Sequence, residues 1–183
     1  MKTSAYALHE ANGELVPYEF ERRPVNANDI VLEILYCGVC HSDLLSASNS
    51  SGRSQFPMVP GHEIIGRVIK AGENSTRFSV GDIAGVGCIV DSCRQCNPCE
   101  EGDEQYCTQG FSASFNGLEQ DKKTPIQGGY SKYYVVNEKY AVNIPAQTNL
   151  ANLAPLLCGG VTTYAPLKRA NIGKGMKIGR AHV

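Results

Sequence analysis

The sequence predicts a mainly β domain over residues 1–147 and then a helical link into a second unit. Two observations predict this division. Short β-branched and apolar runs, separated by glycines, fill the first part, and this pattern is typical of strands joined by tight turns. The later stretch "NLANLAPLLCGGVTTYAPLKRA" is instead rich in alanine and leucine, which favours helix.

Each element follows from a local pattern. The run "DIVLEILYCGV" carries only two charged residues and predicts a strand, and "EIIGRVIKAGE" and "IAGVGCIV" predict further strands. A short helix is predicted from about Ser42 to Ala47. The segment "GGYSKYYVVNEKYAVNIP" predicts two strands on either side of Asn137 and Glu138. Asn149 is a suitable cap for the start of the helical link.

Composition narrows the classes of function. The 17 Lys and Arg residues nearly balance the 18 Asp and Glu residues, so neither nucleic acid nor a membrane surface is indicated as a partner. The first residues, "MKTSAYALHE", do not resemble a signal peptide, and the expected location is the cytoplasm. In that reducing compartment, eight cysteines indicate metal binding or catalysis more often than disulfides.

Four cysteines form a C-x2-C-x2-C-x7-C array, and they are Cys93, Cys96, Cys99 and Cys107. Zinc takes four thiolates in a tetrahedron, and two-residue gaps let neighbouring sulfurs reach one ion. Disulfides and an iron–sulfur cluster are the alternatives, but a seven-residue gap before the last cysteine is unlike the common ferredoxin run. The array therefore predicts a closed, structural zinc site.

A second set of metal ligands is dispersed along the chain. Cys40 ends one predicted strand, His62 starts another after a Pro-Gly turn, and Cys158 precedes two glycines. Each residue alone is more often structural, because isolated cysteines and histidines commonly belong to the core. Together they supply two cysteines and one histidine, which is the ligand set of a catalytic zinc with one open position.

These motifs occur together in one known family. The stretches "CGVCHSDL", "PGHEIIGRV", "GDIAGVGCIVDSC", "GGYSKYYVV" and "LAPLLCGGVTTYAPL", with the four-cysteine array, follow its order. The chain resembles the zinc-dependent medium-chain alcohol dehydrogenases, and among them the cinnamyl-alcohol-dehydrogenase-like, NADP-dependent aldehyde reductases. The resemblance implies a GroES-like, partly open β-barrel with short helices over residues 1–147, with a structural zinc loop at 93–107. It also implies that residues 148–177 begin a Rossmann α/β domain for the cofactor.

The resemblance also implies roles for individual residues. Cys40, His62 and Cys158 would hold the catalytic zinc. The other matched positions are Ser42 for proton relay, His41 for the cofactor pyrophosphate, Asp43 for orienting a ligand, Glu63 for approach to the metal, and Thr162 for the nicotinamide end.

Three further positions carry weaker expectations. Thr162 has an alternative role, as a helix hydroxyl bonded to its own backbone. Leu45 occupies a position where many family members have a histidine that extends the proton relay. Cys37 and Cys88 match no ligand position and are predicted to lie in the core.

The implied activity is hydride transfer between NADP(H) and a primary alcohol or aldehyde, with the catalytic zinc as Lewis acid. The complete enzyme would bind two Zn²⁺ per chain and form a homodimer. Two alternatives belong to other classes: a non-catalytic zinc-binding interaction module, and a co-chaperonin subunit with the same fold. Zinc content would distinguish the three: two ions per chain indicate the dehydrogenase, one ion the interaction module, and none the co-chaperonin.

The end of the sequence gives a separate prediction. The glycines of "GKGMKIG" have the wrong spacing for a dinucleotide-binding turn, and they precede the strand that such a turn should follow. The last six residues, 178–183, also match a translated sequencing-library adapter. We therefore predict a gene truncated after Lys177, with a non-native tail at 178–183. Such a fragment should expose apolar surface along Leu153–Leu167 and be inactive by itself, without binding nicotinamide cofactor.

Overall fold

The computed structural model describes residues 1–145 and 148–179 of the chain. Residue 147, where the sequence places the end of the β domain, lies outside the described residues, and so do residues 180–183 of the predicted tail.

Strands dominate this part of the chain, which confirms the mainly β prediction. The strands are β1 Lys2–Ala7, β2 Val16–Glu21, β3 Asp29–Cys37, β4 Ile64–Ala71, β5 Ile83–Val86, β6 Ile89–Asp91, β7 Ser112–Ala113, β8 Gly117–Leu118, β9 Pro125–Ile126, β10 Tyr133–Asn137 and β11 Ala141–Asn143. The α-helices are α1 His41–Ala47, α2 Asn97–Glu100, α3 Leu150–Leu153 and α4 Gly159–Arg169. Among the described residues, no helix combines the length and the apolar character needed to cross a bilayer.

The central sheet has five antiparallel strands in the order β10-β3-β4-β5-β11, and it curls into a partly open barrel. Three two-stranded sheets, β1-β2, β6-β7 and β8-β9, surround it. The β-branched and leucine side chains predicted as strands face inward: Ile30, Leu32, Ile64 and Val68 are fully buried in the main core. Burial of such side chains stabilises the fold by roughly 1.5–3 kcal/mol each.

The predicted elements are found with one change. The short helix and the two strands around Asn137 and Glu138 are confirmed as α1, β10 and β11. The single strand predicted from "IAGVGCIV" is instead two, β5 and β6, interrupted at Gly87 and Cys88. The main chain of Leu157 lies against this interruption, since a Cβ on Gly87 would be 2.8 Å from the Leu157 carbonyl oxygen.

The helical link begins by packing on the β domain. Asn149 occupies the N-cap position of α3, and Leu153 and Leu157 pack with Ala154 against Ile65 and Ile83. A buried cluster separate from the main core therefore joins residues beyond position 147 to the sheet, while the division into two domains stays a prediction. Other apolar side chains of the link are exposed, and these are Leu156, Val161, Tyr164 and Leu167.

A buried arginine fixes the turn that precedes β4. The guanidinium of Arg22 donates to the carbonyl oxygens of Gln127, Gly128 and Tyr133. Gln127 and Gly128 in turn bond both polar groups of the Val59 main chain. Burial lowers the pKa of Arg22 to about 10, which still leaves the side chain charged at neutral pH. The turn that leads to His62 is thereby held through Gln127 and Gly128.

Candidate metal centres

The four cysteines of the array converge in a loop that closes between β6 and β7. Cys93 follows β6, and Cys96 is the N-cap residue of α2. Cys99 lies within α2, and Cys107 follows a 3₁₀ turn. All four sulfurs lie within 4.8 Å of one another. The Cys93–Cys99 and Cys96–Cys99 sulfur distances are 3.9 Å and 3.4 Å. Tetrahedral zinc with bonds of about 2.3 Å requires sulfurs about 3.8 Å apart, so the group fits this ion.

Hydrogen bonds favour the thiolate of Cys96, and further contacts hold the loop in place. Backbone N–H groups of Thr108 and Cys99 lower the pKa of Cys96 to about 6. Lys139 donates to the Cys99 carbonyl oxygen at 3.4 Å and pairs with Glu104 at 3.0 Å. These contacts tie the loop to the turn between β10 and β11.

A second group contains Cys40, His62, Glu63 and Cys158, whose ligand atoms also lie within 4.8 Å of one another. The strand pairing explains how the first two meet. Cys37 pairs with Ile64 at the end of the β3–β4 ladder. Residues just after β3 and just before β4 therefore lie close together at the same end of these strands. Cys158 lies at this end of the strands, at the N-cap position of α4, and its sulfur is 3.9 Å from that of Cys40.

Hydrogen bonding aims one nitrogen of His62 into this group. Its Nδ1 lies 3.1 Å from Oδ1 of Asp43, and because a carboxylate only accepts hydrogen bonds, Nδ1 carries the proton. The lone pair is then on Nε2, which is buried and has no hydrogen-bond partner in the described part of the chain. A buried acceptor with no partner is unfavourable, and a metal ion would satisfy it.

For two other members of the group, the ionised form of the side chain is unfavourable unless a cation lies nearby. Burial raises the pKa of Glu63, and burial together with nearby Cys88 raises the pKa of Cys158 to about 12. Oε2 of Glu63 is also buried and lacks a hydrogen-bond partner among the described residues. A divalent cation compensates such charges. The donor set and its unsatisfied atoms therefore fit a metal.

Asp43 links the segments that carry this group. Its buried carboxylate accepts hydrogen bonds from the backbone N–H of Cys40 at 2.9 Å and of Gly61 at 3.0 Å, in addition to His62. One side chain thus fixes the start of α1, the turn before β4 and the orientation of the imidazole. The orienting role of Asp43 stays a prediction, and these hydrogen bonds support it.

A cavity of about 300 Å³ opens beside the second group. Ser42, His62 and Cys88 line it, together with Phe115, whose ring stacks on the His62 imidazole at 5.4 Å between centroids. A larger groove of about 720 Å³, between β1 and the end of β3, contains none of the ligand residues, so volume alone does not locate the site. Of the candidate metal ligands, His62 lines the smaller cavity, so this cavity opens onto the second group.

The cavity corrects one prediction and adds a residue. Cys88 was expected in the core but is exposed and lines the cavity, because the chain leaves the sheet at that position between β5 and β6. Cys37, also expected in the core, is half-buried and packs against it. Phe115 was not identified from the sequence, since one aromatic residue in a loop has no periodic signal.

The remaining predicted residues are exposed on two helices. His41 is the first residue of α1, and Leu45 lies on the same helix with 47% of its surface exposed. Thr162 lies in α4, and its side chain makes no hydrogen bond within the described residues. Its neighbour Thr163 donates to the Gly159 carbonyl oxygen instead. The helix-bonded hydroxyl considered for Thr162 thus belongs to Thr163.

Comparison with known proteins decides the family. The model of the alcohol dehydrogenase GroES-like domain matches residues 26–146. The chain belongs to this family. Its GroES-like domain accounts for the curled sheet of β3, β4, β5, β10 and β11, all of which lie within the matched range.

Several relatives of this alcohol dehydrogenase family are similar over nearly the whole chain. A probable cinnamyl alcohol dehydrogenase of Lolium perenne is 47% identical over 90% of this chain and 45% of its own length. Aldehyde reductase YahK of Escherichia coli is 44% identical over 98% of this chain and 51% of its own length.

A solved structure of CAD from Helicobacter pylori complexed with NADP(H) superposes with a TM-score of 0.93 and 39% identity. The match covers 97% of this chain and 51% of that one. The chain thus spans about half the length of the curated relatives it matches.

Proposed function

We propose that the chain is the zinc-binding catalytic domain of an alcohol dehydrogenase or aldehyde reductase. In the complete protein, a hydride passes between NADP(H) and a primary alcohol or aldehyde. One observation carries the proposal: Cys40, His62 and Cys158 meet beside a cavity, with a buried Nε2 that has no partner among the described residues. The names of the relatives, which include a cinnamyl alcohol dehydrogenase and an aldehyde reductase, support the substrate class.

The three ligands would hold a zinc ion that supplies Lewis-acid polarisation of the substrate oxygen. Asp43 keeps the proton of His62 on Nδ1 and so keeps Nε2 free for the metal. The hydroxyl of Ser42, which lines the cavity, lies 3.8 Å from the sulfur of Cys40. It accepts the proton that an alcohol loses and releases its own to solvent, to which Ser42 is exposed.

The relay proposed here is short. Leu45 has an aliphatic side chain and cannot accept the proton that leaves Ser42. His41 and Thr162 are assigned to the cofactor side of the site, where a Rossmann domain in the complete protein would bind NADP(H). The homodimer remains a prediction for that protein.

The four-cysteine loop is proposed as a structural zinc site. Four protein ligands leave no open position, so the ion there stabilises the loop rather than binding substrate. A cytoplasmic location accords with eight free cysteines, six of which belong to the two ligand groups.

Metal content tests the proposal directly. The purified chain should contain two zinc ions, and Cys158→Ser should contain one. Cys37→Ser is the matched control, because Cys37 belongs to neither group, and it should retain two. One zinc in the unaltered chain would favour the interaction module, and none would favour the co-chaperonin.

Cobalt spectroscopy then tests for an open position. With cobalt(II) in the Cys40, His62 and Cys158 site, added imidazole should shift the visible absorption bands. The spectrum of Cys158→Ser, which retains only the four-cysteine site, should not respond. An unresponsive spectrum in the unaltered chain would contradict a catalytic role for this centre.

A further inference from the structure

Gly38 lies between the end of β3 and the ligand Cys40, and the side chain of Glu63 fills the space beside it. A Cβ placed on Gly38 overlaps Oε2 of Glu63 and lies 3.1 Å from the Cβ and the Cδ of the same residue. These are its three nearest atoms. The φ angle of Gly38 lies outside the left-handed region, so alanine there meets no backbone strain. The need for glycine at this position arises from one neighbouring side chain.

The two main chains cannot easily separate to relieve that overlap. The N–H of Gly38 donates to the Glu63 carbonyl oxygen at 3.0 Å. The adjacent pair, Cys37 with Ile64, belongs to the β3–β4 ladder of the central sheet. A methyl group on Gly38 must therefore displace the carboxylate of Glu63 rather than the backbone.

We infer that Gly38 is a positioning residue of the metal centre. Because it has no side chain, it leaves the space in which Glu63 keeps its carboxylate beside Cys40, His62 and Cys158. This inference rests on the proposed function of that group as a zinc site. A buried carboxylate close to a divalent cation favours retention of the ion, and losing such a supporting group typically changes metal affinity 10- to 100-fold.

A double-mutant cycle on the full chain tests the inference. Gly38→Ala should release zinc from this site to a chelator about tenfold faster, as should Glu63→Ala. The double variant should be no faster than Glu63→Ala, because the methyl group then meets no carboxylate. Gly173→Ala is the control, since a Cβ there has no atom within 4 Å, and it should release zinc at the unaltered rate.

Cadmium NMR gives a readout that a general loss of stability does not produce. With cadmium in both sites, Gly38→Ala should shift the resonance of the Cys40, His62 and Cys158 site and leave the four-cysteine resonance in place. If Gly38→Ala does not fold, the double variant should fold, because it removes the overlapping carboxylate.

The outcomes separate this inference from the proposed function. A single, four-cysteine cadmium resonance in the unaltered chain would overturn the proposed zinc centre itself. Two resonances, with a Gly38→Ala effect that is absent or is equally large in the Glu63→Ala background, would overturn only the role of Gly38. A double variant that fails to fold alongside Gly38→Ala would overturn it as well.

Discussion

Replacing Asp43 by asparagine is expected to weaken the second metal centre more than any exposed substitution nearby. The carboxylate uses Oδ1 for Gly61 and His62 and Oδ2 for Cys40. Asparagine has one oxygen and one NH₂ group, so it can accept at only one of these two positions. In either orientation its NH₂ group faces a backbone or imidazole N–H, and at least one buried donor loses its acceptor.

The structure sets the size of the effect. Asp43 is 3% exposed, so water cannot replace the lost hydrogen bond. A buried donor without an acceptor destabilises by about 1–3 kcal/mol. For a chain of this size, each kcal/mol lowers the melting temperature by roughly 2–4 °C. Loss of the partner that orients His62 should also weaken zinc binding at this site about 10- to 100-fold.

Zinc titration against a competing chelator, with thermal melts of the metal-loaded chain, measures both effects. Asp82→Asn is the matched control, because its carboxylate accepts one exposed turn hydrogen bond, from Ser79. That variant should match the unaltered chain within about 0.5 kcal/mol. Asp43→Asn with zinc affinity within twofold of the unaltered chain would refute the argument that Asp43 orients His62.

The four-cysteine group could be predicted from the sequence because it is local. Its ligands fall within one stretch, 93–107, whose short gaps bring the sulfurs together whatever the rest of the chain does. The strands that carry the barrel were also predictable, since Ile30, Leu32 and Val68 lie in apolar, β-branched runs. What the residues alone could not supply was the pairing of those strands.

The second group depends on long-range pairing. Cys40 and His62 meet because β3 and β4 are antiparallel neighbours in register, and Cys158 joins them because Leu153 and Leu157 pack on the barrel. From the sequence, these three residues formed a ligand set only by their types and by resemblance to a family. The overlap between Gly38 and Glu63 lies beyond sequence reasoning, because it depends on where one side chain points.

Two further perturbations test the closed site and a buried carboxylate that belongs to neither metal group. Cys93→Ser should lower the melting temperature more than Cys40→Ser, because a structural ion contributes folding free energy, and equal losses would remove the distinction between the sites. The carboxylate is that of Glu138, which is buried. It accepts hydrogen bonds from the Ser75 hydroxyl and from the backbone N–H groups of Thr76 and Arg77. Burial alone would raise the pKa of Glu138, but the hydrogen bonds, from Ser75 first, outweigh it, so the pKa lies below its ordinary value of 4.5. Because the folded-state pKa is lowered, the stabilisation is fully present above pH 4.5 and is lost as the pH falls through the lowered value. Denaturant unfolding should therefore show Glu138→Gln to be less stable than the unaltered chain by about 1–3 kcal/mol at pH 7, with the gap closing below pH 4.5. Ser75 lies in the loop between β4 and β5. Glu73→Gln changes an exposed carboxylate in that loop and should have no such effect. A gap that stays constant from neutral to acid pH would show that the charge of Glu138 is not what holds this loop.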